Sequence, residues 1–494
     1  MPRLRRILGL ALLALAAFGL RLGVVACLAK ASPAAVTYEH GEIAENLLAG
    51  RGFTVKFLGV EGPTSQQAPF YPALLAGCYW LFGPASTAAL LAMQILQCAA
   101  GAALALVVVG LAWSLLPERP TLGWVAGYGA ALYPAHVYMV THMQVAIWAA
   151  LCLTSLVALV ASHWRPYSWL KAVLAGLLSG LLLLIDPILA IALPIIAWMF
   201  WRSEAQVEGT PRKLPLPLGE GTSAQSPPKG ERTTGHSLRV PHSTFRVSPA
   251  ARCLRLALMA SVAALVIAPW LWRNYRVHGE WVFVKSTFGY AFWQGNNAAS
   301  WGTDKIPKRS AETLRNDHDG SLADMHRALW EARHETLYID DVLLAPGGYR
   351  EFTGLTEPER SRLLFSRSWD FVRRHPQRYL RLCARRLRYF LLFDETNPKA
   401  ANRIYRASTA VWLALAMIGS LALRGRWRRL APTWAIFGAV ALFHSLTIVS
   451  ARFRIPIEPL SFVWAAGAVA PLVDRLIIVP WTDWRERRQE AFDD

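Results

Sequence analysis

The sequence predicts an all-α membrane protein with about ten spanning helices (roughly 9–12) and a small external α or α+β domain. Of its 494 residues, 54% are apolar or aromatic and only 17% are charged. Several apolar runs approach or exceed the ~20 residues with which a helix crosses a bilayer. The run from Ser86 to Pro117 holds no charged residue before Glu118. Composition and run length together indicate a polytopic helical protein.

The predicted spans begin with an apolar run from about Ile7 to Leu28, behind the basic stretch Met1–Arg6. A signal peptide has a similar pattern, but this run is long and is followed by further spans, which favours an uncleaved first helix. The later spans are predicted at 86–115, 122–140, 143–162, 169–185, 187–201, 253–272, 407–423, 431–449 and 459–477. Residues 69–82 are apolar but few, and they predict a re-entrant or interfacial helix, with a full crossing as the alternative.

The distribution of basic residues predicts the orientation of these spans. Lysine and arginine are concentrated in alternate connections, and the short connections near 141 and 186 hold neither. Cytoplasmic loops of membrane proteins carry such an excess of positive charge. We therefore expect the first loop, residues 29–85, to lie outside the cytoplasm.

Composition also divides the chain into segments. Residues 203–250 are dominated by Pro, Gly, Ser and Thr and lack apolar periodicity, which predicts a disordered cytoplasmic insertion. From about 276 to 405 no spanning run occurs, and four aromatic residues there are available for a small core: Trp330, Tyr338, Phe352 and Trp369. The predicted segments are an N-terminal membrane module (1–202) with the loop 29–85, the insertion (203–252), one span (253–275), an external domain (276–405), C-terminal spans (406–480) and a cytoplasmic tail (481–494).

The net charge of +19 does not indicate nucleic-acid binding. The basic residues lie in short loops between apolar runs, where membrane orientation and anionic lipids account for them. The six cysteines form no C-x-x-C pair. Most lie in or beside apolar runs, so we expect buried thiols instead of disulfides or metal ligands.

The first loop holds the clearest cluster of polar residues. The stretch Tyr38–Ala49 carries Glu39, Glu42 and Asn46 at helical spacing, which puts all three on one face of a predicted helix. Gly50 ends this helix, because glycine adopts backbone conformations that other residues avoid. Two carboxylates on one face suit acid–base chemistry, and they equally suit the solvated face of an interfacial helix.

This loop resembles that of bacterial family-39-type glycosyltransferases. The pattern YE-x-G-x-IA-x-x-L-x-x-G-x-GF is followed by GPT, by P-x-YP-x-LLAG and by LFG. The family consists of GT-C membrane enzymes related to protein O-mannosyltransferases and to the aminoarabinose transferase of lipid A. In that family an acidic residue of this loop is the catalytic base, a role that the resemblance assigns to Glu39 or, as second choice, to Glu42. Relatives carry acidic residues where this chain has Ala35 and Val36, so both assignments stay open.

Two later motifs extend the resemblance. The motif APWLWRNY at the end of the span 253–272 leads into a GN turn, and SARFRIPIEP precedes the last span. Arg273 in the first motif could hold a lipid phosphate, or it could be an ordinary arginine that extends to the membrane surface. Arg452 and Arg454 in the second motif could form a cradle for phosphate.

These patterns nominate a set of candidate site residues. The catalytic candidates are Glu39 and Glu42. The candidates for substrate binding are Arg51, Lys56, Tyr71, Asp186, Arg273, Asn274, Asn296, Arg452, Arg454 and Glu458. Asp186 could equally cap the helix that follows it.

The resemblance implies a multi-pass glycosyltransferase of the bacterial inner (plasma) membrane with its active site facing the periplasm. It would move a sugar from a polyprenyl-phosphate donor to a hydroxyl of a glycan, lipid or protein acceptor, with no nucleic acid as a partner. No cofactor is expected. His40 lies between two glutamates, but the spacing matches no zinc or two-metal pattern, and a divalent cation stays open.

Two other functions remain as alternatives. A transporter or flippase of lipid-linked saccharides would usually have polar residues near the middle of the membrane and internal repeats, which this sequence does not show. A protein similar to an O-antigen polymerase or ligase would also use external arginines. The donor sugar and the acceptor are not determined by the sequence.

Overall fold

The computed structural model of the chain describes residues 2–29, 36–162, 168–205, 248–306, 327–328, 336–397, 400 and 402–478. Nearly all regular structure in these ranges is helical, and the strands form short antiparallel pairs. The predicted helical class is confirmed. Most of the predicted insertion (203–252), Trp330 and the predicted tail (481–494) lie outside the described residues.

The first half of the chain consists of helices joined by short connections. Its elements are α1 (Pro2–Ala29), α2 (Tyr38–Leu48), β1 (Thr54–Phe57), β2 (Val60–Pro63), α3 (Phe70–Phe82), α4 (Thr87–Leu115), α5 (Pro120–Leu132), α6 (Pro134–Met139), α7 (Ala146–Ala161), α8 (Trp169–Ile185) and α9 (Leu193–Ala205). A 3-10 turn, Pro187–Ala192, joins α8 to α9. Strands β1 and β2 form an antiparallel hairpin in which Val55 lies opposite Gly62.

The second half contains the longest helix and a long segment of mixed structure. Its elements are α10 (Pro249–His278), α11 (Phe288–Gly295), β3 (Lys305–Ile306), β4 (Leu337–Tyr338), α12 (Ile339–Leu343), α13 (Glu357–Arg374), α14 (Pro376–Leu391), α15 (Arg403–Ala422), α16 (Trp427–Leu446) and α17 (Glu458–Val473). We refer to residues 36–86 as the first loop segment and to residues 279–402 as the long loop segment.

Several helices have the length and composition of membrane spans. Four of the described helices are both long and apolar enough to cross a bilayer, namely Leu4–Leu28 within α1, then α4, α10 and α15. Shorter apolar helices accompany them, including α3, α7 and α8. The chain is therefore a polytopic helical membrane protein, as predicted.

The observed helices follow the predicted spans closely, and proline explains one difference. The run 122–140 is divided into α5 and α6, because α5 ends at Leu132 and Pro134 begins a new helix. Proline has no N–H group with which to continue the hydrogen-bond ladder of the preceding helix. The span predicted at 253–272 belongs to a helix that continues to His278.

The helices pack around α4, which contacts α1, α5 and α7, and around the close pair α8 and α10. Gly176 on α8 permits this approach, since a Cβ atom there would lie only 2.6 Å from the carbonyl oxygen of Met259. Small residues commonly allow membrane helices to approach in this way. Helix α17 packs between α5 and α15 and completes the bundle.

The two loop segments share one hydrophobic core. Its buried members are Ile43, Val55, Phe57 and Leu58 of the first loop segment and Trp293, Ile339, Leu344, Phe352 and Leu364 of the long loop segment. Phe352 is buried, as predicted, whereas the side chain of Trp369 is 43% exposed. Burial of these side chains fixes the two segments to one another, because each buried large apolar side chain contributes roughly 1.5–3 kcal/mol.

Candidate active site

Helix α2 carries the catalytic candidates at the start of the first loop segment. Its observed bounds agree with the predicted helix, and Gly50 follows it with a φ of 73°. Ile43 and Ala44 are fully buried, and the helix packs on α3. The N-terminal turn, with Glu39 and His40, faces a large cavity.

This cavity has a volume of about 1060 Å³ and lies between the helical bundle and the two loop segments. Apolar side chains of the bundle, such as Ile191, Ile404 and Phe443, form part of its wall. Its charged residues and histidines are Glu39, His40, His142, Asp186, Lys285, Asp304, Lys305, Asp340, His444, Arg452, Arg454 and Glu458. Cavities of this size accommodate substrate-sized molecules.

The cavity brings together candidates that are far apart in the sequence. The predicted residues on its wall are Glu39, Tyr71, Asp186, Arg452, Arg454 and Glu458. The other predicted residues, which do not line it, are Glu42, Arg51, Lys56, Arg273, Asn274 and Asn296.

Lys285 lines the same cavity and interacts electrostatically with three of these candidates. Its Nζ donates a hydrogen bond to Oε1 of Gln67 at 3.2 Å, and its ammonium interacts electrostatically with the carboxylates of Asp186 and Glu39. Burial lowers the pKa of Lys285, Asp186 opposes that shift, and Arg452 adds to it. Two cations and two carboxylates therefore act on one another within this part of the cavity.

His40 contributes an uncharged imidazole to the same wall. Burial, together with the positive charges of Lys285 and Arg452, lowers the pKa of His40 to about 3. The ring lies against that of Tyr71, with 4.8 Å between the ring centroids. Its Nδ1 atom has no hydrogen-bond partner among the described residues. His40 is therefore neutral at physiological pH and has a free polar atom.

The two arginines before α17 differ in what they bind. Arg454 is buried, and its Nε pairs with Glu458 at 2.5 Å while Nη1 donates to the carbonyls of Phe390 and Leu391. Glu458 also pairs with His136 at 2.9 Å. Arg452 is exposed to the cavity and donates to Oε1 of Gln144 at 3.1 Å. Arg454 is thus held by a buried carboxylate and by backbone carbonyls, whereas Arg452 keeps most of its five N–H donors for a ligand.

Two other cavity candidates have structural partners. The hydroxyl of Tyr71 donates to Oε1 of Gln97 at 3.0 Å, which fixes the ring in the wall. Asp186 Oδ1 accepts from the N–H of Ile188 at 3.3 Å, so that it caps the turn Pro187–Ala192 as well as lining the cavity. Both of its predicted roles are therefore compatible with its position.

Glu42 stabilises the hairpin that follows α2. Its Oε1 accepts a hydrogen bond from the backbone N–H of Lys56 at 2.8 Å. Arg51 binds the side-chain oxygen of Asn46, with 2.8 Å from its Nε, and the Asn46 amide donates to the carbonyl of Thr54. Glu42, Arg51 and Lys56 thus belong to the outer side of the first loop segment, away from the cavity.

Arg273 and Asn274 belong to a junction between α10 and the two loop segments. Its residues are Phe53, Thr64, Ser65, Arg273, Asn274, Ser286 and Glu357. Arg273 donates to the carbonyls of Thr64 and Phe53, at 2.5 and 3.0 Å. Asn274 accepts from the hydroxyl of Ser65 at 2.8 Å.

Glu357 is the central acceptor of this junction and was not a predicted site residue. Its carboxylate accepts from the hydroxyl of Thr64 at 2.6 Å, from the N–H of Ser65 at 2.7 Å and from the hydroxyl of Ser286. Its side chain is 3% exposed. Asn296, likewise, is fully buried and accepts from Arg386 at 3.1 Å, so it joins α11 to α14.

Several residues of the cavity, foremost Lys285, were not among the predicted site residues. One signal was present, since Lys285 is the sole charged residue between Glu280 and Asp304. A lysine in such a stretch has no oppositely charged partner nearby in the sequence. Asp304 and Asp340 gave no comparable signal, because their neighbours in the sequence are themselves charged.

The histidines and carboxylates of the cavity do not form a recognisable metal centre. Among the residues that the structure describes, no group of three or more His, Cys, Asp or Glu side chains could hold a metal ion.

Comparison with known proteins finds remote structural likeness. No family model matches the chain, and no curated protein matches it. The chain is similar to the oligosaccharyltransferase of Archaeoglobus fulgidus, solved with zinc and sulfate, with 14% identity and a TM-score of 0.49 over 95% of this chain and 49% of that one. It thus spans about half the length of the archaeal protein.

A second similar structure comes from bacteria. ArnT from Cupriavidus metallidurans, solved with undecaprenyl phosphate, is 14% identical, with a TM-score of 0.36 over 96% of this chain and 79% of that one. The archaeal protein, AglB, has also been solved with an inhibitory peptide and a dolichol-phosphate. Because these likenesses are remote, the chemistry of the cavity has to be inferred from its own geometry.

Proposed function

We propose that the chain is a membrane glycosyltransferase of the GT-C type in a bacterial inner membrane. It would transfer a sugar from a polyprenyl-phosphate donor to a hydroxyl of a glycan, lipid or protein at the periplasmic face. The observation that carries the proposal is the cavity in which Glu39, Lys285 and Arg452 meet from three distant parts of the chain.

The wall of the cavity suits an amphiphilic substrate with a phosphate group. Arg452 and Lys285 each donate one hydrogen bond to a neutral glutamine, which leaves further N–H donors for phosphate oxygens. Apolar side chains of the bundle, including Ile191 and Ile404, line the same cavity and match a prenyl chain. Two cations beside an apolar wall therefore favour a lipid-linked phosphate over a soluble one.

Glu39 is the better of the two candidate bases. No hydrogen bond to its carboxylate occurs within the described part of the chain, and it lies on the cavity wall. The carboxylate of Glu42 is held by the backbone of Lys56. A general base must reach the proton that it removes, and only the first of these two carboxylates faces the space where an acceptor could bind.

The proposed reaction requires one base and a stabilised leaving group. The Glu39 carboxylate takes the proton of the acceptor hydroxyl. At the same time the oxygen of that hydroxyl forms a bond to the anomeric carbon of the donor sugar. The bond from that carbon to the phosphate oxygen breaks, and its electron pair leaves with the polyprenyl phosphate. Arg452 and Lys285 stabilise the negative charge that develops there, so no acid is needed to protonate the leaving group.

The test is a transfer assay in membranes with radiolabelled sugars on a panel of polyprenyl-phosphate donors. We expect Glu39→Gln to lower the transfer rate by about 10²–10⁴-fold, which is the usual contribution of a general base. Glu42→Gln is the matched control, because the amide oxygen can still accept from Lys56, and it should retain transfer.

The assay can contradict the proposal in two ways. If Glu39→Gln and Glu42→Gln both keep full transfer, Glu39 is not the base. If the folded wild-type protein transfers no label from any donor, the transferase proposal fails, and movement of the labelled lipid across vesicles would instead support a flippase.

A further inference from the structure

The cavity contains polar groups that the transfer chemistry does not use. The hydroxyl of Tyr290 accepts a hydrogen bond from Nε2 of Gln294 at 2.8 Å. The same amide lies 3.4 Å from Oδ1 of Asp340, and Tyr290 also hydrogen-bonds the Asp340 carboxylate. These three side chains line the cavity and hold one another in fixed positions.

Two buried polar atoms on the same cavity have no protein partner. Nδ1 of His40 and Oε1 of Gln66 make no hydrogen bond among the described residues. Both side chains are 7% exposed, and both line the cavity. A buried polar atom without a hydrogen-bond partner is unfavourable, so these two atoms are available to a ligand that pairs with them.

The chemistry of these groups matches a polyhydroxylated ring. A sugar hydroxyl both donates and accepts, and it therefore needs neutral amides, phenols or imidazoles together with an occasional carboxylate. Asp340 has the character of such a carboxylate, because burial raises its pKa and Tyr290 and Gln294 hydrogen-bond to it. The nearby Asp304 is already paired with Lys305, at 2.5 Å.

We propose that this part of the cavity is a subsite for a saccharide ring. Asp340, Tyr290 and Gln294 would bind hydroxyls on one edge of the ring, and His40 and Gln66 would pair with further hydroxyls. The inference rests on the proposed function and deepens it, because it assigns the sugar and the phosphate to different residues. The ring could be that of the donor or that of a glycan acceptor, since both present the same hydroxyl chemistry.

The experiment measures binding to purified full-length protein in detergent micelles. One arm compares undecaprenyl phosphate with undecaprenyl-phosphoryl glucose, mannose, galactose and arabinose. The other arm uses water-soluble methyl glycosides of the same sugars. The variants are Asp340→Asn and Gln66→Leu. The matched control is Asp341→Asn, since Asp341 is exposed, does not line the cavity and hydrogen-bonds the backbone of Tyr338.

We expect wild type and Asp341→Asn to bind one sugar-bearing probe at least about tenfold more tightly than either cavity variant does, because each variant removes a hydrogen-bond partner of the bound ring. Binding of undecaprenyl phosphate itself should not change in the variants. A loss confined to the lipid-linked sugars assigns the subsite to the donor, and a loss confined to the methyl glycosides assigns it to the acceptor.

Other outcomes overturn the inference. Equal binding by wild type and both cavity variants would show that these residues do not contact a sugar. A wild type that binds undecaprenyl phosphate but prefers no sugar-bearing probe would also refute the subsite, while the phosphate site of the proposed function would stand. If undecaprenyl phosphate itself does not bind, the proposed function fails separately.

Discussion

The cavity and the junction both contain a glutamate and an arginine, but these side chains differ in how many hydrogen-bond partners they have. At the junction, Glu357 accepts three hydrogen bonds and Arg273 donates to two backbone carbonyls. On the cavity, Glu39 accepts none from the described residues, and Arg452 donates to one neutral amide. Saturated groups stabilise a fold, whereas groups with spare capacity on a cavity are available to a substrate.

The same contrast separates residues two positions apart. Arg452 and Arg454 belong to one motif and were predicted to act together, yet only Arg454 forms a buried ion pair with Glu458. A motif therefore identifies a region of the molecule, and hydrogen-bond saturation decides which of its members can contact a ligand.

The largest expected effect is loss of stability in Arg454→Met. The substitution would leave the carboxylate of Glu458 buried without its arginine, which typically costs about 3–5 kcal/mol. The thermal unfolding midpoint in detergent micelles should fall strongly. Arg452→Met is the matched control and should keep the wild-type midpoint. Equal destabilisation by both substitutions would contradict the distinction between the buried, paired Arg454 and the exposed Arg452.

Glu357→Ala should destabilise the protein next most strongly. It removes the common acceptor of Thr64, Ser65 and Ser286 and leaves buried donors unpaired, at a cost of roughly 2–4 kcal/mol. The control is Glu351→Ala, which removes the partner of Arg367 in an exposed ion pair worth little. An unchanged unfolding midpoint in Glu357→Ala would mean that the junction does not hold the loop segments.

The neutral state of His40 predicts a pH dependence of stability. The folded protein holds its pKa near 3, while the unfolded chain has the ordinary value of 6.5. Below pH 6.5 the unfolded state binds the extra proton, so stability that is present above about pH 6.5 is lost as the pH falls toward 3. The loss due to His40 should reach about 2 kcal/mol at pH 5.

The unfolding midpoint measured between pH 8 and pH 5 tests this dependence. His40→Asn should lose less stability over that interval than wild type does. His375→Gln, which removes an exposed histidine at the end of α13, is the control for loss of a histidine side chain. Identical profiles for wild type and His40→Asn would show that His40 is not held neutral.

Arg452→Gln should have the smallest effect on stability, but it should clearly weaken the binding of undecaprenyl phosphate. An exposed arginine with one neutral partner should change the unfolding free energy by no more than about 0.5 kcal/mol. Undecaprenyl phosphate should bind about tenfold more weakly, as for loss of a charged phosphate contact. Arg51→Gln, outside the cavity, is the control and should bind undecaprenyl phosphate as wild type does. Unchanged binding in Arg452→Gln would show that Arg452 does not contact the phosphate.

Much of the fold was predictable because it depends on local composition. Apolar runs of sufficient length form helices in a bilayer, where every backbone polar group has to be satisfied within the segment. The predicted spans agree with α4, α7 and α8 to within a few residues. The division of the run 122–140 into two helices was missed, although Pro134 was its visible cause.

The site was predicted less completely, for a different reason. The sequence identified the polar motifs that contain Glu39, Asp186 and Arg452, and all three lie on the cavity. It could not separate them from Glu42 and Arg454. The backbone of Lys56 donates to the Glu42 carboxylate, and the Arg454 guanidinium donates to the distant carbonyls of Phe390 and Leu391.

By itself the sequence determined that this is a helical membrane protein with polar motifs in a few connections. Length and hydropathy are properties of contiguous residues, and the bilayer converts them directly into helices. Only the tertiary structure decided which polar groups are saturated, because the partners of Glu357 and the backbone partners of Arg454 lie far away in the chain. That pairing, and not the motif, separates the residues that hold the fold from those left facing the cavity.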